Sequence, residues 1–182
     1  MKQTEQAIVH YRKAIDLNPN KSESYYNLGN ACCVQEQFDE AIINYKKAIE
    51  LDSYNAPAFY NLGNAYYMLG QYDKSITSYK MALTLNEDSA ECYFNLASAY
   101  KDKGDMNEAI IKFKMALKYD DMNPETYYEL GCIYADANDD EQNAAAIEAF
   151  EKALKLKPDH EKALERLNET RSRPATGAIK VK

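Results

Sequence analysis

From Ala58 to Asn86 the apolar residues follow a helical period twice, with a break at Gly70-Gln71. Phe59, Leu62, Gly63 and Tyr66 fall on one face of the first stretch, and Ser75, Tyr79 and Ala82 on one face of the second. The pattern predicts two amphipathic helices joined by a short turn. It also recurs. Tyr25-Tyr26-Asn27-Leu28-Gly29-Asn30 stands 34 residues before Phe59-Tyr60-Asn61-Leu62-Gly63-Asn64, and Tyr93-Phe94-Asn95-Leu96-Ala97-Ser98 stands 34 residues after it. A fixed period of this length marks stacked repeats, each burying its apolar face on its neighbours.

Residues 1–21 match only the second-helix half of the unit, through Ala7, Tyr11, Ala14 and Pro19. The chain thus reads as beginning in mid-repeat, as an excerpt or a truncated end, with an apolar helix face open to association. Whole repeats follow at 22–55, 56–89, 90–123 and 124–160. In the first, helices are expected over about 22–35 and about 38–51, with Tyr25, Leu28 and Cys32 and then Ala41, Tyr45 and Ala48 facing inward. The third carries Tyr93, Leu96, Ala97, Tyr100, Ala109, Phe113 and Ala116, and the fourth Tyr127, Leu130, Gly131, Tyr134, Ala146, Phe150, Ala153 and Pro158.

Local punctuation agrees with this division. Asn55 before Pro57 and Asn123 before Pro124 are helix starts. Gly70 and Gly104 are placed to end first helices in a left-handed conformation. Asp88 and Glu91 have the spacing of a capping box, and Asp159 is the expected cap of a last helix over 161–172, with Ala163, Leu164 and Leu167 as its apolar side. The fourth repeat has 37 residues, and its extra three are assigned to a place in or beside the inter-helix turn, within 136–145, read as an acidic, solvated loop. The basic tail 173–182 lacks helical periodicity and is read as a flexible segment.

Composition narrows the function classes. A net charge of −7 disfavours nucleic acid, whose phosphates require a basic face. No run reaches the roughly 18 apolar residues of a membrane helix, so membrane insertion is not expected. Cys32, Cys33, Cys92 and Cys132 form no CxxC pair, and His10 and His160 lie far apart, so neither metal nor cofactor is expected. Buried thiols in a reducing compartment fit better, which suggests a cytoplasmic protein, with nuclear or ciliary settings left open. No phosphate loop or nucleophile motif is present, and an enzyme is not expected. The acidic run Asp136, Asp139, Asp140 and Glu141 lacks the spacing and glycine of a calcium loop.

Taken together, these marks resemble the tetratricopeptide repeat (TPR) family over roughly residues 3–170. Tyr25-Leu28-Gly29, Phe59-Leu62-Gly63-Tyr66 and Tyr127-Leu130-Gly131-Tyr134 carry the first half of its motif; Ala41-Tyr45-Ala48, Ala109-Phe113-Ala116 and Ala146-Phe150-Ala153 carry the second. Cys32, Ala97 and Ser75 depart mildly from it. The resemblance implies an all-α, right-handed superhelical solenoid of antiparallel helix pairs, with a concave groove lined by the first helices. Small residues such as Gly29, Gly63 and Gly131 would let helices approach, and Tyr25, Phe59, Tyr93, Tyr127, Tyr45, Tyr79, Phe113 and Phe150 would fill the core.

A second ladder runs beside the core marks. Asn27, Asn61 and Asn95 recur at the sixth position of successive repeats, and Asn30 and Asn64 at the ninth; Ser98, Cys132 and Glu129 break the series. Asparagine is a mediocre helix former, but its amide both donates and accepts, so a row of them can hold an extended peptide backbone or bond neighbouring helices. Tyr26, Tyr60, Phe94 and Tyr128 recur at the fifth position, as a groove wall or as packing between repeats. The ladder is similar to the asparagine-rich TPR arm of O-linked N-acetylglucosamine transferase, which implies peptide binding in the groove. Glu91, Glu125 and Glu129 stand where a carboxylate-clamping TPR domain carries cations, so a basic or neutral protein segment is the expected partner. Three readings follow: a non-catalytic scaffold holding a polypeptide in its groove, a structural subunit docking through its ends or convex face, or the recognition arm of a glycosyltransferase whose catalytic domain lies outside this chain.

Overall fold

The computed structural model describes residues 2–137 and 139–173. Among them are ten helices and no strand: α1 Lys2–Leu17, α2 Ser22–Val34, α3 Phe38–Leu51, α4 Ala56–Met68, α5 Tyr72–Leu85, α6 Ala90–Lys103, α7 Met106–Tyr119, α8 Pro124–Asp136, α9 Asp140–Leu156 and α10 Glu161–Ser172. The fold is an all-α helical-repeat solenoid, and the chain divides into two compact units after Asp105. In the first, α1 to α6 pack each on the next, with α2 also touching α4 and α4 touching α6. In the second, α7 to α10 do the same, with α10 also reaching α8.

Both cores are built from the small and aromatic positions of the repeat. Ala41, Tyr45 and Ala48 of α3 are sealed with Leu28, Ala31 and Cys32 of α2 and Leu62, Ala65 and Tyr66 of α4. In the second unit Ala146, Phe150 and Ala153 of α9 meet Ala135 of α8 and Ala163 and Leu167 of α10. A Cβ on Gly29, Gly63 or Gly131 would lie 2.6 Å from the ring of Tyr45, Tyr79 or Phe150 respectively, so only glycine admits these close helix crossings. The two aromatic rows differ in depth. Tyr45, Tyr79, Phe113 and Phe150 are fully buried, whereas Tyr25, Phe59, Tyr93 and Tyr127 are only half-buried, Tyr127 packing against the second core from its edge. Within the units α3 lies between α2 and α4, α5 between α4 and α6, and α9 between α8 and α10, while the opening residues of a first helix are less enclosed.

Four helices start with the same device, a side chain that accepts from the N–H three residues on: Asn55 to Ala58, Ser89 to Cys92, Asn123 to Thr126 and His160 to Ala163. Two expected caps are thereby corrected. Ser89, not Asp88, caps α6, with Oγ 3.2 Å from Cys92 N. His160, not Asp159, caps α10, with Nδ1 3.3 Å from Ala163 N. The repeat register fixes the residue just before each first helix as the cap, and this outweighs the better capping propensity of the aspartates. Gly70 and Gly104 do take positive φ, 68° and 98°, as their place after α4 and α6 requires.

The insertion in the fourth repeat is helical rather than a loop. Helix α8 has 13 residues like α4, but α9 has 17 where α5 has 14, so the extra three lengthen the helix. Asp139 caps it through Glu141 N, and Asp140 and Glu141 place negative charge in its first turn, which favours helix there. On α10 the inward face is Ala163, Leu167 and Thr170, with Leu164 half-exposed, so the apolar side is narrower than its sequence suggested. Apart from Arg173, the basic tail lies outside the described residues.

Candidate functional site

The predicted ladder sits on α2, α4 and α6, and most of it is one hydrogen-bonded system. Asn61 Nδ2 donates to Asn30 Oδ1 at 2.9 Å and to Tyr26 OH at 3.2 Å. Tyr45, from inside the core, donates to the same Asn30 Oδ1 at 2.8 Å. One repeat on, Asn95 Nδ2 donates to Tyr60 OH at 2.7 Å and to Asn64 Oδ1 at 3.3 Å, and Tyr79 donates to Asn64 Oδ1 at 2.6 Å. Each link thus joins a buried tyrosine, the ninth-position asparagine of one repeat, and the sixth-position asparagine of the next. Asn27 stands outside it: half-buried, with no side-chain hydrogen bond found among the described residues.

The network fixes which way each amide faces. A carbonyl that accepts from two partners must be the oxygen, so Asn30 and Asn64 point Oδ1 into the link and hold their NH2 groups outside it. The Asn64 amide also lies beside the Tyr60 hydroxyl, whose pKa it holds down. Asn61 and Asn95 spend both N–H groups in the link and keep Oδ1. In each of these two links the face therefore carries a donor and an acceptor that no hydrogen bond among the described residues takes up. An extended peptide backbone offers the complementary acceptor and donor.

The fifth-position aromatics lean on the core. Tyr26 lies 6.1 Å from the Tyr45 ring, Tyr60 5.9 Å from Tyr79, and Tyr128 6.1 Å from Phe150. Tyr26 and Tyr60 accept from the asparagines of the next repeat; Phe94 has no hydroxyl to do so. Burial drives the hydroxyl pKa of Tyr45, Tyr60 and Tyr79 well above the usual value, and that of Tyr128 to about 12. Beside Tyr128, His160 packs at 4.9 Å and Cys132 has its thiol pushed up by burial.

Where the asparagine series stops, the surface opens. Asn64, Tyr67, Met68, Tyr79, Phe94, Asn95 and Ser98 line a pocket of about 270 Å³ between α4 and α6. Ser98 turns its Oγ back to Phe94 O at 3.1 Å. Met68, 61% exposed, stands at the mouth, and Tyr67 donates to Asp102 beside it. The sequence reading missed Tyr67 and Met68; their spacing of three and four residues from Asn64 is the signal that places them on the same helix face.

Family profiles described as TPR repeat match residues 1–33, 29–70, 63–104 and 97–137, and one described as tetratricopeptide repeat matches 124–160. The chain belongs to the tetratricopeptide repeat family. Its fold is that of a protein-interaction scaffold, and neither TPR profile describes a catalytic family. Among solved structures, the TPR chain is similar to MamA, with a TM-score of 0.82 at 26% identity over 87% of this chain and 91% of that one. It is also similar to YrrB, described as a TPR protein with an unusual peptide-binding site, with a TM-score of 0.78 at 29% identity over 90% and 83%. A thermophilic TPR protein of Thermus thermophilus shares the fold, with a TM-score of 0.67 at 19% identity over 93% and 91%. No curated protein matches the sequence. No described TPR helix is long and apolar enough to cross a membrane.

Proposed function

We propose that this TPR chain is a non-catalytic scaffold that holds an extended polypeptide segment against the first helices α2, α4 and α6. One observation carries the reading. The Tyr–Asn–Asn links lock the ladder amides while leaving one N–H of Asn64, the NH2 of Asn30 and the Oδ1 atoms of Asn61 and Asn95 for a ligand. Donors and acceptors already held in place bind without paying to be ordered. The likeness to YrrB, itself described as binding peptide, supports the same reading.

The test is a selection of random dodecapeptides displayed on phage, with the intact chain as target and the double variant Asn30→Asp/Asn64→Asp as counter-target. Aspartate keeps the oxygen that accepts inside the link and replaces the amide NH2, the Asn64 group beside Tyr60 included, with a carboxylate oxygen; circular dichroism and a melting curve check that the fold survives the added charge. Peptides that bind the natural chain should lose tenfold or more on the variant. Equal binding to both would overturn the proposal.

A second reading, association through α1, is favoured by its exposed apolar residues: Ile8 is buried, but Val9 is 50% and Leu17 88% exposed. Sedimentation across a concentration series would show self-association lost in Val9→Glu/Leu17→Glu, and a monomer at every concentration would count against association between copies.

A further inference from the structure

We infer that the pocket between α4 and α6 is a socket for one large uncharged apolar side chain, of leucine, methionine or phenylalanine type, carried by the segment bound to the ladder. The inference rests on the peptide-binding reading above and names what the peptide must contain.

The socket exists because the ladder changes character at the third repeat. Positions nine and five hold Asn30 with Tyr26, and Asn64 with Tyr60, but Ser98 with Phe94. Serine is shorter than asparagine, and its hydroxyl is taken up by the Phe94 carbonyl of its own helix. Phenylalanine replaces a polar ring edge with an apolar one. What remains is a space of about 270 Å³ walled by the rings of Tyr67, Tyr79 and Phe94 and by the thioether of Met68. That volume suits one large side chain rather than a second backbone. A thioether at the mouth can repack around occupants of different shape.

Charge fixes the class of occupant. None of the seven lining residues is ionisable to a charge at neutral pH. A glutamate placed there would be desolvated with no cation among the lining residues and with Asp102 beside the mouth, and a lysine would be drawn off the uncharged walls toward Asp102. Asn64 and Asn95 line the same pocket and carry a spare N–H and a spare Oδ1. The peptide residue whose backbone meets those two amides is therefore the one whose side chain enters.

The test uses individual synthetic peptides from the phage selection above. Ser98→Asn refills the pocket with the residue already tolerated at Asn30 and Asn64; Ser98→Ala keeps it empty. The expected result is a shared leucine, methionine or phenylalanine position whose replacement by alanine weakens binding about tenfold or more. The same loss should appear with Ser98→Asn and not with Ser98→Ala, both variants melting like the parent. Peptides that depend on Asn30 and Asn64 but have no such position, or that bind Ser98→Asn undiminished, would overturn the socket and leave the peptide-binding reading standing. A selection yielding no asparagine-dependent peptide would overturn both.

Discussion

At Gly63 a single methyl group has nowhere to go. An added Cβ would sit 2.6 Å from the Tyr79 ring, which is 1% exposed and tied through its hydroxyl to Asn64. Gly63→Ala should therefore destabilise the protein by about 1–3 kcal/mol in chemical denaturation, the usual range for an overpacked core. Two other sites should respond in the opposite sense. Ser75 is fully buried and its Oγ makes no hydrogen bond of good geometry among the described residues, the Tyr79 hydroxyl being its polar neighbour, while Ala41, Ala109 and Ala146 fill the same place in other repeats. Removing an unmatched hydroxyl should gain about 1 kcal/mol, so Ser75→Ala should raise the denaturation midpoint. Glu36 holds φ at 58° where the next two repeats have Gly70 and Gly104. Glu36→Gly should gain about 0.5–1 kcal/mol, the relief of a left-handed residue less the added chain entropy. A midpoint unchanged or lowered in either variant would refute the corresponding account. The sequence showed the asparagine ladder but not its wiring, because the partners are one repeat away: Asn61 finds Tyr26 and Asn30, and no spacing within a helix reveals which half of an amide is spent.

Helix boundaries were legible because each is written in residues that act locally. Asn55, Asn123, Gly70 and Gly104 do in the structure what their chemistry implies. The misreadings arose where register decides instead. Asp88 and Asp159 are good caps in the wrong place, and the fourth-repeat insertion becomes a turn of α9 because Asp139 and the residues after it favour helix. The cap of α10 is unusual in being an imidazole. His160 is 6% exposed, accepts from Ala163 N through Nδ1, and stacks on Tyr128. His160→Ala should remove both the cap and the ring contact and cost about 1–2 kcal/mol. Hydrogen exchange should then speed up over Glu161–Ser172 before it does over α8 and α9. Uniform acceleration across the unit would mean that α10 has no separate opening. His160→Asn, which keeps a capping oxygen but not the ring, should recover the part of the loss that belongs to the cap.

For the chain as a whole, the buried thiols and phenols set a limit at high pH. Burial raises Cys32 from 9.0 to about 11, Cys92 from 9.0 to about 12 and Tyr128 from 10.0 to about 12, with Tyr45, Tyr60 and Tyr79 shifted in the same direction. The folded chain keeps protons that the unfolded chain releases, so the stabilisation is complete below the unfolded values and is lost as pH rises through the folded ones. Urea midpoints should change little through these groups up to about pH 9 and fall steadily above it, with the tyrosinate step of the buried rings Tyr45 and Tyr79 appearing only as the helices melt. Ionisation of these tyrosines without loss of helicity would contradict the burial. The same enclosure predicts that Cys32 and Cys92 are alkylated only on unfolding, while half-buried Cys33 and Cys132 react sooner.

In each unit a helix packs mainly on those next to it in the chain, and the longest ties among the described residues reach about one repeat away, as from Asn61 to Tyr26. A molecule assembled from such neighbour contacts has no keystone. Pulled from its ends, it should yield as a ratchet does, one helix pair at a time and at modest force, and rewind when the load falls. A peptide lying across α2, α4 and α6 would fasten several of those steps together, so that occupancy would be felt as stiffness.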